Sequence, residues 1–224
     1  MILTRPILRN FFNRARAREN YINLLSRCSL GLLSLFTANL ALGNVAEHSL
    51  FIKSDGSLWA TGWNVAGQLG DSSTVTRHQP VQIVSSNVIQ VASGYNHSLF
   101  IKADGSLWGN GSNSDGQLGD GSNNDSHLPV QIANVNGVTQ VAAGGYHSLF
   151  IKDDGSLWAM GRNDVGQLGD GSNINRNTPV QIANASGVVQ VTAGNHHSLF
   201  LKNDGSLWGM GKNDVGQLGD GSNT

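Results

Sequence analysis

Residues 144–172 read GGYHSLFIKDDGSLWAMGRNDVGQLGDGS, and residues 194–222 return the same residue at 23 of these 29 positions. Outward from this stretch the same landmarks recur. His-Ser-Leu-Phe begins at His48, His97, His147 and His197, at spacings of 49, 50 and 50 residues. Asp-Gly-Ser-Leu-Trp ends at Trp59, Trp108, Trp158 and Trp208, and Gly-Gln-Leu-Gly-Asp ends at Asp71, Asp120, Asp170 and Asp220. Pro-Val-Gln-Ile begins at Pro80, Pro129 and Pro179. A fixed period of this length is the mark of stacked supersecondary units.

Each unit reads as β structure. In 147–152 apolar residues fall on both faces of an extended segment, as a strand sandwiched between neighbouring sheets requires. Asp154-Gly155 follows, a pair favoured in tight hairpin turns because both positions tolerate positive φ. Residues 156–160 return as a second strand. Pro179-Val180-Gln181-Ile182 is a short strand with proline at its first residue, and 188–193 is another. One unit thus supplies strands A (Val-Gln-Val-Ala type), B (His-Ser-Leu-Phe), C (Ser-Leu-Trp) and D (Pro-Val-Gln-Ile). Four-stranded sheets repeating every fifty residues predict an all-β propeller. The blade units lie near 44–84, 88–133, 138–183 and 188–224. The motifs present are BCD, ABCD, ABCD and ABC, an open or partial arc of two full and two incomplete blades.

Charge divides the chain. Residues 1–43 hold six arginines and one glutamate, whereas 44–224 hold eight basic against fourteen acidic residues. An acidic body predicts no nucleic-acid partner, since phosphate binding needs a basic face. The lone cysteine, Cys28, lies outside the repeats, so they contain no disulfide and no thiolate site. The basic start, the apolar run 29–42 and Ala41-Leu42-Gly43 read as a secretory signal, predicting an extracellular or cell-envelope protein, with a cytoplasmic one as the alternative. A structural reading competes. Aligned on the histidines, Leu40 and Leu42 fall where Val189 and Val191 stand, which would make part of the segment a degenerate first A strand.

The run 161–171, the run 141–148 and the Asp-Gly-Ser-Leu-Trp step resemble the regulator of chromosome condensation repeat, over roughly residues 44–224. The resemblance implies blades of a propeller that usually numbers seven, and as an alternative function an exchange factor for a small GTPase.

The recurring histidines, tryptophans and aspartates serve every blade alike, and this favours structural roles over a metal site, a stacking platform or calcium loops: a core wedge for the tryptophans and Asx turns for the aspartates. No cofactor is expected. Nor is catalysis, because no non-repeated acid/base pair and no nucleophile motif stands out. Positions that differ between repeats are free of the shared structural demand. These are the A–B loop (46–47, Tyr95-Asn96, Gly145-Tyr146, Asn195-His196) and the start of the C–D connection (Trp63, Ser112, Arg162, Lys212). In an antiparallel meander both lie at one end of the sheet. The candidate binding residues are therefore Trp63, Tyr95, Asn96, Tyr146, Arg162, Asn195, His196 and Lys212, facing a protein partner or, failing that, a glycan. Open propeller ends also predict self-association. Thermal melts with and without chelator are expected to coincide. A large drop in melting temperature on chelation would contradict the structural reading of the histidines and aspartates.

Overall fold

The computed structural model describes residues 40–41, 46–132 and 135–222. The chain divides into two compact units, 1–37 and 38–224, and all described residues lie in the second. Of the signal-like segment only Leu40–Ala41 fall among them.

Among the described residues fifteen strands form four antiparallel sheets. The first is β1 (Leu40–Ala41), β2 (His48–Ile52), β3 (Leu58–Gly62) and β4 (Arg77–Val84). The second is β5 (Val88–Ser93), β6 (His97–Lys102), β7 (Leu107–Gly111) and β8 (Ser126–Gln131). The third is β9 (Val138–Ala143), β10 (His147–Lys152), β11 (Leu157–Gly161) and β12 (Arg176–Gln181). The fourth has three strands, β13 (Val188–Ala193), β14 (His197–Lys202) and β15 (Leu207–Gly211). The first three sheets are A-B-C-D meanders and the fourth, among the described residues, is A-B-C; the four make a partial propeller arc that is not closed. The first blade is fuller than its motifs indicate, because β1 supplies its A strand. Leu40 pairs with Phe51, where Val191 pairs with Phe200. That register is two residues away from the alignment on histidines, an even shift that keeps the same face of the strand.

Two local expectations need correction. Only the glycines of the Asp-Gly turns take positive φ, +74° to +83°. The turn closes by Gly56 N–H donating to the Lys53 carbonyl, while the Asp55 carboxylate accepts from the Ser57 N–H, and the other blades repeat the Asp–Ser bond. The aspartate is chosen for its side-chain acceptor. The D strands also begin earlier than the motif, so Pro80, Pro129 and Pro179 lie inside them. This is tolerated because D is the outer strand of each sheet and its pairing is irregular at that point.

The hydrophobic cores lie between blades. Leu99, Ile101 and Leu107 of the second blade meet Val138, Val141 and Phe150 of the third. Leu149, Ile151 and Leu157 of the third meet Val188 and Phe200 of the fourth, and the first junction is built in the same way. Strand B thus sends its leucine forward and its phenylalanine back. The tryptophans are less deep than a core wedge. Trp108 is half-buried, parallel to Phe100 at 6.2 Å between ring centroids, with the Lys102 ammonium 3.9 Å from its ring centroid. Its indole N–H donates to Ser106 Oγ, and the other blades repeat that bond. A lysine covers what the next blade does not.

A polar bond crosses each junction. His48 Nε2 lies 2.8 Å from Ser98 Oγ, His97 Nε2 3.0 Å from Ser148 Oγ, and His147 Nε2 2.8 Å from Ser198 Oγ. Each serine donates its one proton back to the preceding blade, to the carbonyls of Gln68, Gln117 and Gln167. Toward the imidazole it can only accept, so each histidine carries its proton on Nε2. The Nδ1 atoms of His48, His97 and His147 are buried with no partner among the described residues. Gly94 and Gly144, which end the second and third A strands, leave room for the rings of His97 and His147, where a Cβ would collide.

Burial pushes His48 down to about 4, and His97 and His147 down to about 3. In the unfolded chain an imidazole titrates near ~6.5. The unfolded state therefore takes up protons first as pH falls. Stability from these groups is complete above about pH 6.5 and is lost progressively down to the folded values. Denaturant melts should show a fall between pH 7 and pH 5 of at most about 2 kcal/mol per buried histidine. A flat profile over that range would contradict neutral, buried rings. His147→Ala at pH 7.5 is expected to cost roughly 2–4 kcal/mol, through a cavity and the lost bond to Ser198.

Candidate interaction face

Backbone hydrogen bonds gather the variable positions. The Trp63 N–H donates to the Glu47 carbonyl (3.0 Å), Ser112 to Asn96 (2.7 Å), Arg162 to Tyr146 (2.9 Å) and Lys212 to His196 (2.9 Å). In every blade the start of the C–D connection is thus tied to the A–B loop. Neighbouring A–B loops are linked in turn, Tyr95 N–H to the Gly145 carbonyl (3.3 Å) and Gly145 N–H to the Gly194 carbonyl (3.2 Å).

Beneath this face a buried asparagine holds each C–D loop. Asn163 Nδ2 donates to Asp170 Oδ1 (2.9 Å) and to the Ser172 carbonyl, and its Oδ1 accepts from the Leu168 N–H (2.9 Å). Asn64, Asn113 and Asn213 do the same in their blades. The recurring aspartates complete these loops as Asx turns, Ser73 N–H on Asp71 and Ser172 N–H on Asp170. Arg77 lies 2.6 Å from Asp71 and Arg176 2.8 Å from Asp170. Partial burial alone would raise the Asp71 carboxyl, but bonds from Ser73, Arg77 and Asn64 outweigh it and hold it below the usual carboxylate range. These oxygens are committed to loop geometry.

The structure brings four of the eight candidates into one row. Tyr95 and Tyr146 have ring centroids 5.8 Å apart, and Tyr146 and His196 lie 6.4 Å apart at an interplanar angle of 24°. The row spans the second, third and fourth blades. The Arg162 guanidinium sits 5.6 Å from the Tyr146 centroid, braced by Asp164 at 2.5 Å. Trp63 is exposed on the first blade. Lys212 pairs with Asp214 at 3.0 Å beside the row. The remaining two have structural duties. Asn96 Oδ1 accepts from Gln68 Nε2 across a junction, and Asn195 presses against Gly145, where no Cβ would fit. Asp164 was missed from sequence, although its position also varies between blades as Val65, Ser114, Asp164 and Asp214.

Residues 37–224 match the family described as the RCC1-like domain. The chain belongs to the RCC1-like domain family. Among solved structures, this RCC1-like domain is similar to Prp20p from Saccharomyces cerevisiae, in a study of its binding to Gsp1p and histones. Identity is 26% and the TM-score 0.73, over 85% of this chain and 49% of that one. It is similar to the same yeast RCC1 (Prp20) in complex with Kap60, with 25% identity and a TM-score of 0.70 over 83% and 46% of the two chains. It is also similar to human WBSCR16, with 28% identity and a TM-score of 0.67 over 75% and 45%. The chain spans about half the length of these structures. Among curated proteins nothing matches.

Asn163→Ala should destabilise the RCC1-like domain by roughly 2–4 kcal/mol in urea melts, because it empties a buried donor–acceptor clamp. Tyr95→Ala, at an exposed ring, should cost about 1 kcal/mol or less. Equal costs would mean that the row is part of the core.

Proposed function

We propose that this RCC1-like domain is a non-catalytic interaction module that binds a protein partner through Tyr95, Tyr146, His196 and Arg162. The observation that carries the reading is the continuous row of rings across three blades, at positions with no duty common to all blades. Tyrosine and arginine are the residue types that anchor protein interfaces, and rigid blades hold them ready at little entropic cost. The recurring polar groups support a non-catalytic reading, being tied up in junctions and loops. Its relative Prp20p is described as binding proteins, Gsp1p and histones, and bound to Kap60. That similarity also supports a second reading, an exchange factor-like regulator of a small GTPase. Export through residues 1–43 belongs to the proposal on the strength of the arginine-rich start and the apolar run that follows.

The test compares wild type with Tyr146→Ala/Arg162→Ala as baits in cell extracts, with Lys152→Ala, at the opposite end of the blades, as control. Proteins held by wild type and by the control should be lost from the double variant, with affinity lowered at least tenfold and the fold intact by circular dichroism. Retention of the same proteins by all three baits would refute the assignment of this face. A small GTPase among the proteins lost would favour the second reading.

A further inference from the structure

The second blade lacks charges that other blades supply for themselves. Its C–D connection, 112–125, holds Asp115, Asp120 and Asp125 and neither lysine nor arginine. The third and fourth blades begin this connection with Arg162 and Lys212, each braced by a carboxylate two residues on, where the second has Ser112. The first and third place Arg77 and Arg176 against Asp71 and Asp170, where the second has Ser126. Asp120 thus has no cation among the described residues. Asp125 accepts from the Asn113 N–H at 2.7 Å, a task that the neutral Asn175 performs in the third blade. The rings divide in the same way. Tyr146 has Arg162 beside it, and each tryptophan of the Asp-Gly-Ser-Leu-Trp step has a lysine. Tyr95, 40% exposed, has no cation over its ring among the described residues. In the same sector Gln117, 1% exposed, leaves its Nε2 with no partner among the described residues. The corresponding amides of Gln68 and Gln167 reach Asn96 and Asp164, but here Tyr146 and Ser114 stand at those places.

We propose that the second blade holds an arginine-bearing segment of the protein partner, with one guanidinium over Tyr95 and a second against Asp120. This rests on the assignment of the face above and names the chemistry of its partner. The third blade is the template. There the arginine at the place of Ser112 lies over a tyrosine, and the arginine at the place of Ser126 bonds an aspartate. Charge complementarity selects the occupant: three carboxylates without a cation of their own attract a basic segment and repel an acidic one. Asp115 and Asp125 add to that attraction. Arginine suits both places, because its planar guanidinium stacks on a ring and meets a carboxylate with two parallel bonds. The main-chain carbonyls of the segment are the kind of acceptor that Gln117 lacks.

Calorimetric titration of the full chain with tetra-arginine tests this, with tetra-glutamate for comparison. Wild type should bind tetra-arginine and not tetra-glutamate. Ser112→Arg/Ser126→Arg, which supplies the two arginines of the third blade, should weaken tetra-arginine at least about tenfold. Ser54→Arg/Ala103→Arg adds the same charge to turns at the opposite end, and should stay within about twofold of wild type. A wild type without preference for arginine over glutamate would overturn the proposal. So would equal losses in the two double variants, or binding that survives Ser112→Arg/Ser126→Arg. If a variant folds poorly, magnetic resonance of wild type decides: the Tyr95 ring protons should shift on titration with tetra-arginine, and an unmoved ring would overturn the site. The extract experiment with Tyr146→Ala/Arg162→Ala separates this inference from the reading beneath it. Partners lost there without arginine binding here would remove the basic segment and keep the face. Partners retained there would remove the face as a protein-binding site, whatever the peptide does.

Discussion

The junction between blades rests on a neutral imidazole buried against the next sheet. A sheet of three or four short strands cannot bury both of its faces by itself, so its stability comes from its neighbours. The apolar contacts supply the bulk of that stability, but they are non-directional. The histidine bond adds register. It joins strand B of one blade to strand B of the next, and the accepting serine returns its own proton to the glutamine carbonyl of the first. Only one tautomer satisfies that arrangement. The small residue at the end of strand A, the Gly-Gln-Leu turn and the serine beside the histidine are consequences of placing that ring.

Much of this was legible in the sequence, because repetition exposes what every blade needs. The period, the strands around His-Ser-Leu-Phe and Ser-Leu-Trp, and the shared end of the two variable loops all follow from spacing and alternation. Other features depend on what lies beside a residue in space. The tryptophans read as core, yet a lysine from the adjacent strand covers each ring. The Asp-Gly pair suggested a turn with both residues at positive φ, but the aspartate serves as an acceptor for the serine two residues on. The first A strand, Leu40–Ala41, lacks the repeat's motif; alignment on the histidines offered a degenerate A strand here, but only its pairing with Leu50 and Phe51 gives the register.

The candidate face was legible in part for the same reason. Comparing blades within one chain separates positions held by the fold from positions that are free, and this located the loop pairs. It could not show that Tyr95, Tyr146 and His196 would meet as a row, that Arg162 would lie over the middle ring, that Asn96 would bond across a junction, or that Asn195 would lie against Gly145 of the preceding blade. Those outcomes depend on how far one blade is rotated from the next, and the junction sets that rotation. Binding face and blade contact are therefore coupled: a change that loosens a histidine–serine bond also spreads the rings.

The central claim is that these histidines are neutral, protonated at Nε2 and bonded to the next blade. Long-range nitrogen-15 correlation spectra of the imidazoles test it most directly. The account predicts that His48, His97 and His147 show a protonated Nε2 and a bare Nδ1, unchanged from pH 7.5 down to pH 5 while the fold persists. A protonated Nδ1, or titration of these rings near the ordinary histidine value in the folded protein, would contradict it.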